Sequence, residues 1–169
     1  MIPRLGEIPS AEDPYRGFLD ALRASGFAGT ISAADADRTL FATDNSIYQL
    51  FPQAVVFPRG TDDIARVMRL LAEPRFGGVV LAARGGGTGT NGQSLTTGLV
   101  LDVSRHMDRI LEINAEERWV RVEAGVVKDQ LNAALAPHGL FFAPELSTSN
   151  RATIGGMVST DASGQGSCL

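Results

Sequence analysis

The sequence predicts an α+β fold in which a small parallel β-α-β lobe precedes the start of a second, more antiparallel lobe. Two patterns carry this expectation. A strongly periodic amphipathic stretch at 61–73 lies between two short apolar runs, 54–57 and 79–82. Three further strand-like runs, 99–103, 109–113 and 119–123, then follow with no helical pattern between them.

In order along the chain, residues 15–25 place Phe18, Leu19 and Leu22 on one helical face, and Gly26 suits the stop. A second helix is expected over 34–42. Ala54, Val55, Val56 and Phe57 read as a buried strand ended by Pro58, with Thr61 as N-cap of the helix that follows. That helix carries Asp62 and Asp63 in its first turn, where the helix dipole favours them, and Ile64, Val67, Met68 and Leu71 on one face. Pro74 and the Gly77-Gly78 pair end it, and 79–82 begins another buried strand, expected to pair in parallel with 54–57 through a right-handed crossover. Residues 114–118 suit a hairpin turn between the last two strands. A helix over 127–135 is broken by Pro137-His138-Gly139.

Composition narrows the function classes. Fifteen basic against 19 acidic residues give a formal charge of −4, which disfavours sequence-independent binding of nucleic acid or an anionic membrane, so any bound anion must be held locally. The single cysteine, Cys168, excludes an internal disulfide and any multi-cysteine metal or iron–sulfur site in this segment. No signal-like or membrane-spanning apolar run is present, and a cytoplasmic protein is expected. The end at Leu169, directly after a glycine-rich turn, reads as a truncation of a longer chain.

Glycine is the departure from ordinary composition, and it clusters. From Arg84 the chain runs R-G-G-G-T-G-T-N-G-Q, leaving a strand with successive amides and almost no side-chain bulk. Such a segment can wrap an anion, and Arg84 could help neutralise a diphosphate while Thr88, Thr90, Asn91 and Gln93 add hydrogen bonds. An ordinary turn needs one or two glycines, so this density lacks a plain structural return. The phosphate-loop pattern of nucleotide hydrolases fails, because Gln93-Ser94 stands where Lys and Ser or Thr are required. Gly87 to Gly92 satisfies G-x-G-x-x-G, but that fingerprint must open a helix, and here a strand follows within a few residues. The loop joins strand to strand.

In order and spacing this loop resembles the pyrophosphate loop of the vanillyl-alcohol-oxidase-type FAD-linked oxidoreductases, whose cofactor domain is also called PCMH-type. The resemblance implies FAD held by Arg84, Gly85, Gly86, Gly87, Thr88, Gly89, Thr90, Asn91 and Gln93. It implies noncovalent attachment, since no histidine stands in the loop. It further implies a helical lead-in over 1–53 and an incomplete two-lobed FAD-binding domain over 54–169.

A second cluster lies in 141–164, a long irregular loop entering a helix that Thr153 could cap, with Gly155 and Gly156 permitting close backbone approach. Close packing of small residues would explain these glycines equally well. P-E-L from Pro144 and A-T-I-G-G-M from Ala152 are similar to the family's second FAD segment. The resemblance places Pro144, Glu145, Leu146, Ser149, Asn150, Thr153, Gly155, Gly156, Asp161, Ala162, Ser163 and Gly164 along the cofactor, with Asp161 where many relatives carry Asn. The V-E-A-G stretch ending at Gly125 also fits the family. So does the segment Thr43 to Leu50, which in the family packs near the adenine side.

The resemblance is greatest to the D-lactate and D-2-hydroxyglutarate dehydrogenase branch and its large flavin plus iron–sulfur fusions. It implies a parent enzyme that oxidises a small 2-hydroxy acid to the 2-oxo acid by hydride transfer to FAD. Substrate-binding and catalytic groups, and any iron–sulfur cluster, are then expected outside this segment, which alone should show no turnover and weak FAD retention. His106 and His138 lack partners at catalytic or metal-ligand spacing and read as loop residues; Cys168 reads as an inert thiol. Two other classes stay open: a noncatalytic nucleotide- or phosphate-binding module, and an interaction domain in which both glycine clusters serve packing.

Overall fold

The computed structural model describes residues 13–164; Cys168 and the terminal glycine-rich stretch lie outside them. The first elements are helix α1 (Asp13–Ala24), strand β1 (Thr30–Ser32), helix α2 (Asp35–Leu40), strand β2 (Ala54–Phe57) and helix α3 (Thr61–Leu71). Strands β3 (Leu81–Arg84) and β4 (Leu99–Asp102) follow, then β5 (Ile110–Asn114), β6 (Trp119–Val122), helix α4 (Lys128–Leu135) and helix α5 (Ile154–Ser159). A four-stranded sheet has the order β1-β2-β4-β3, and β5 and β6 form a separate antiparallel pair. The α+β class expected from the sequence is what the chain adopts.

The chain divides into two interleaved units. Met1–Ala83 and Gly89–Leu101 make the first, and Arg84–Thr88 with Asp102–Leu169 make the second. In the first unit β2 runs antiparallel to β1, with Ile31 opposite Val56, and parallel to β4, with Val55 opposite Val100. Successive strand residues point to opposite faces, and here both faces are covered. Ala54, Val56, Leu99 and Leu101 join Phe18, Leu22, Val67 and Phe76 on one side, where Phe18 and Phe76 meet edge to face at 5.3 Å. Val55, Phe57 and Val100 pack with Phe41 on the other.

Four expectations need correction. The strand expected over 79–82 is displaced to Leu81–Arg84, and it is not buried: it lies at the sheet edge, and Val80 beside it is 56% exposed. β2 and β3 are not partners, because β4 is inserted between them; Leu99 N donates to Val80 O at 2.8 Å. The strand over 99–103 therefore belongs mainly to the first sheet and does not open the antiparallel part. Thr61 is the first residue of α3, not its cap; Gly60 occupies the cap position and offers no side chain. Asp63, buried in the first turn, instead ties the approach to the helix in place: its carboxylate accepts from Arg59 N and Ala28 N, both at 2.9 Å.

In the second unit Val126, Leu131 and Leu135 form a core under the inward residues Ile110, Ile113, Val120 and Val122, with Phe142 and Ile154 packed on it. The β5–β6 turn is the expected one: Asn114 Oδ1 accepts from Glu117 N at 2.9 Å, and Arg118 has φ of 60°. Arg109 and Glu123 brace the open end of this hairpin through Nη2 to Oε1 at 2.7 Å and Nε to Oε2 at 3.1 Å. That pairing holds the Glu123 carboxyl below the usual carboxylate range and raises Arg109 further.

Candidate functional site

Within the second unit the start of the first glycine cluster lies against the middle of the second, 151–156. A Cβ on Gly85 would collide with Thr153 Oγ1, and one on Gly86 with the carbonyl oxygen of Arg151. These two glycines thus have the packing role that the sequence left without a structural reason. Gly87 differs: its φ is +62°, in the left-handed region, and a Cβ there would sit 2.5 Å from Nη2 of Arg84. The Arg84 guanidinium is therefore folded back against its own loop.

The second cluster is anchored by main-chain bonds to the segment before α4 and to the first turn of α4. Lys128 N donates to Ala152 O, Ile154 N to Val126 O, Gly155 N to Ala124 O and Asp129 N to Ser149 O, at 2.8–3.2 Å. Thr153, 2% exposed, caps α5 as expected, accepting from Gly156 N at 3.4 Å. Gly155 leaves no room for a side chain, since its Cβ would lie 2.7 Å from that of Ala124. Pro144, Glu145 and Leu146 continue the loop, and the main chain of Glu145 and Leu146 closes over Gly164, whose Cβ would strike Glu145 O. Ala162 N bonds to Met157 O, Asp161 turns the chain with φ of 47°, and Asn150 and Ser163 are exposed.

Beyond Thr88 the loop belongs to the first unit. Gln93 folds over Gly89, where it occupies the space a Cβ would need, and its Oε1 accepts from Asn91 N at 3.1 Å. Ser94 Oγ donates to Asp44 Oδ2 at 3.0 Å, and Tyr48 lies against Gly92. Thr90 and Asn91 are exposed.

The backbone amides of Gly85, Gly86, Gly87, Thr88, Gly89 and Thr90 donate no hydrogen bond to any described residue. Groups that strong are normally paired, with protein, water or a ligand. The loop is held by packing while its donors stay available, as a main-chain anion cradle requires. On this observation the residues fit a diphosphate-bearing cofactor.

Beneath the loop, the carbonyl of Arg84 accepts from Val103 N at 3.0 Å. Next to it Asp102, 2% exposed, takes three bonds on Oδ1: from Ser104 N, Ser104 Oγ and Arg105 N, at 2.9–3.1 Å. Burial pushes its carboxyl above the ordinary value, opposed by these bonds and by the charge of Arg84. Sequence reading passed over Asp102. Its signal is a carboxylate ending an apolar strand, followed two residues on by serine, a combination suited to an Asx turn.

Residues 52–169 match the model of the FAD binding domain. The chain belongs to the FAD binding domain family. This FAD binding domain is similar to D-2-hydroxyglutarate dehydrogenase of Pseudomonas putida, with 71% identity over 99% of the chain and 17% of the relative. It is also similar to D-2-hydroxyglutarate dehydrogenase of Escherichia coli, with 59% identity over all of the chain and again 17% of the relative. The domain thus spans 17% of the length of either enzyme. Among solved structures, alkyldihydroxyacetonephosphate synthase shares its fold with a TM-score of 0.79 at 19% identity, covering 92% of this chain and 33% of that one. Among the described residues no helix is long and apolar enough to cross a membrane, and no group of three or more His, Cys, Asp or Glu is placed to hold a metal.

Proposed function

We propose that this domain binds FAD noncovalently and forms part of a flavin-dependent dehydrogenase that oxidises a D-2-hydroxy acid of the D-2-hydroxyglutarate type. The observation that carries the reading is the run of amides from Gly85 to Thr90 that donate to nothing described, in a loop held by packing. Main-chain donors of this kind suit a diphosphate, because several partial charges share its negative charge without the desolvation cost of buried cations. When bound, FAD would supply the hydride acceptor for the conversion of a 2-hydroxy acid to the 2-oxo acid.

The residues of this chain would bind and orient. Gly85, Gly86, Gly87 and Thr88 would hold the diphosphate, with Arg84 shaping the loop, and Gly89, Thr90, Asn91 and Gln93 continue it along the chain. Pro144, Glu145, Leu146, Ser149, Asn150, Thr153, Gly155, Gly156, Asp161, Ala162, Ser163 and Gly164 would border the rest of the cofactor and exclude water from it. Groups that bind substrate or accept its hydroxyl proton are assigned to parts of the enzyme beyond this segment. A cytoplasmic location agrees with the lack of a spanning helix among the described residues and with the lone cysteine.

The packing of Gly85 and Gly86 favours a second reading, in which the glycines serve the fold alone. It does not explain why the amides around them donate to no described residue. The test is the complete natural protein: it should be isolated with FAD, and D-2-hydroxyglutarate should bleach the flavin absorbance anaerobically. Protein that folds but takes up no FAD from a micromolar solution would end the reading.

A further inference from the structure

Arg151 and Arg84 lie against Gly86 and Gly87 of the loop in its own unit, and the structure treats them differently. Arg84 is committed inward. Its guanidinium lies where a Gly87 side chain would be, and its charge acts on the buried Asp102 carboxylate. Arg151 is the opposite case. Its carbonyl lies against Gly86 in the heart of the amide run, which fixes its Cα beside the loop. Its main chain is held by Arg151 N to Thr148 O at 2.9 Å, yet its side chain is exposed and makes no ion pair or hydrogen bond with any described residue.

Among the described residues no hydrogen bond or ion pair requires an arginine at that point. An exposed cation whose backbone is fixed against Gly86, within the run of amides from Gly85 to Thr88, is a charge waiting for an anion. The α5 helix, six residues long, is too short to supply a useful dipole in its place.

We propose that Arg151, not Arg84, is the cation that meets the diphosphate of the bound dinucleotide, while Arg84 and Asp102 set the shape of the loop from beneath. The inference rests on the FAD reading above and adds a binding residue to it. Arg151 supplies the mobile charge-assisted contact, and the amides supply the fixed ones.

The experiment uses the complete natural protein stripped of flavin, with R151Q, R151K and R84Q beside the wild type. FAD dissociation constants are measured by fluorescence across ionic strength, with inorganic pyrophosphate as competitor, and the melting temperature of each apoprotein is recorded. R151Q should bind FAD about tenfold or more weakly at low salt, the loss of one charge-assisted bond. Its dissociation constant should depend less on salt, because the screened contact is gone. Pyrophosphate should compete less well, R151K should retain most of the salt dependence, and the apoprotein melting temperature should not move. R84Q should instead lower the apoprotein melting temperature. Wild-type affinity and salt dependence in R151Q overturn the proposal, as does an R84Q that loses salt dependence with unchanged melting. Wild-type protein without FAD affinity overturns the FAD reading itself, and this inference with it.

Discussion

Asp102 offers the sharpest test of how the second unit is held together. Replacing it by Ala removes the acceptor of three hydrogen bonds and strands Ser104 N, Ser104 Oγ and Arg105 N around a nearly inaccessible position. At about 1 kcal/mol per bond the loss is about 2–4 kcal/mol, or a fall in melting temperature of roughly 5–15 °C for a domain of this size. Asp102→Asn keeps an oxygen for the same three donors and removes only the charge. Since burial raises the carboxyl's affinity for its proton, the ionised form is the poorly tolerated one. The stability this group contributes is fully present below its unfolded value, near 3.8, and is lost as pH rises through the raised folded value. At neutral pH the Asn variant should therefore melt no lower than the wild type. On acidification toward pH 4 the wild type should gain on it. Calorimetry of both proteins between pH 4 and 8 checks this, and a wild type that loses ground to the Asn variant as pH falls would refute the reasoning.

Glu123 carries the opposite sign. Its carboxyl is depressed by Arg109, so its contribution is present above the unfolded value near 4.5 and is lost as pH falls through the lower folded value; Glu123→Gln should flatten that part of the acid melting curve. The effect should be small, because Arg109 is exposed. Leu131→Ala, in the core beneath the hairpin, should cost about 2–5 kcal/mol in urea unfolding, since Leu131 is 1% exposed and the surrounding side chains cannot fully collapse. Gly87→Ala should cost about 1 kcal/mol from its left-handed backbone alone. It should also displace the Arg84 guanidinium, so FAD affinity should fall further than stability does, as paired titration and melting would show.

Local patterns carried most of the elements. The helix at α3 was legible because its apolar spacing and acidic first turn agree, and the β5–β6 hairpin because a polar turn separates two short apolar runs. What failed was set by distant partners. The apolar run from Val79 to Ala82 reads equally well in two offsets, and the bond from Leu99 N to Val80 O decides between them. Nothing near residue 80 announces that β4 will lie between β2 and β3. Thr61 looked like a cap because nothing local says that Asp63 will be buried against Ala28. At the candidate site both glycine clusters were visible as loops, but the packing of Gly85 and Gly86 on Thr153 and Arg151 joins residues far apart in sequence. The inward turn of Arg84 and the outward exposure of Arg151 follow from that packing.

Because Arg84–Thr88 belongs with residues translated much later, the interleaving imposes an order on biosynthesis. The ribosome releases the glycine-rich strip well before Arg151 and Thr153 exist to support it. At roughly 5–20 residues per second, the strip waits on the order of several seconds. During that interval its amides are open to a passing strand edge, so a nascent chain stalled before residue 151 should aggregate more readily than one stalled after the supporting residues have emerged.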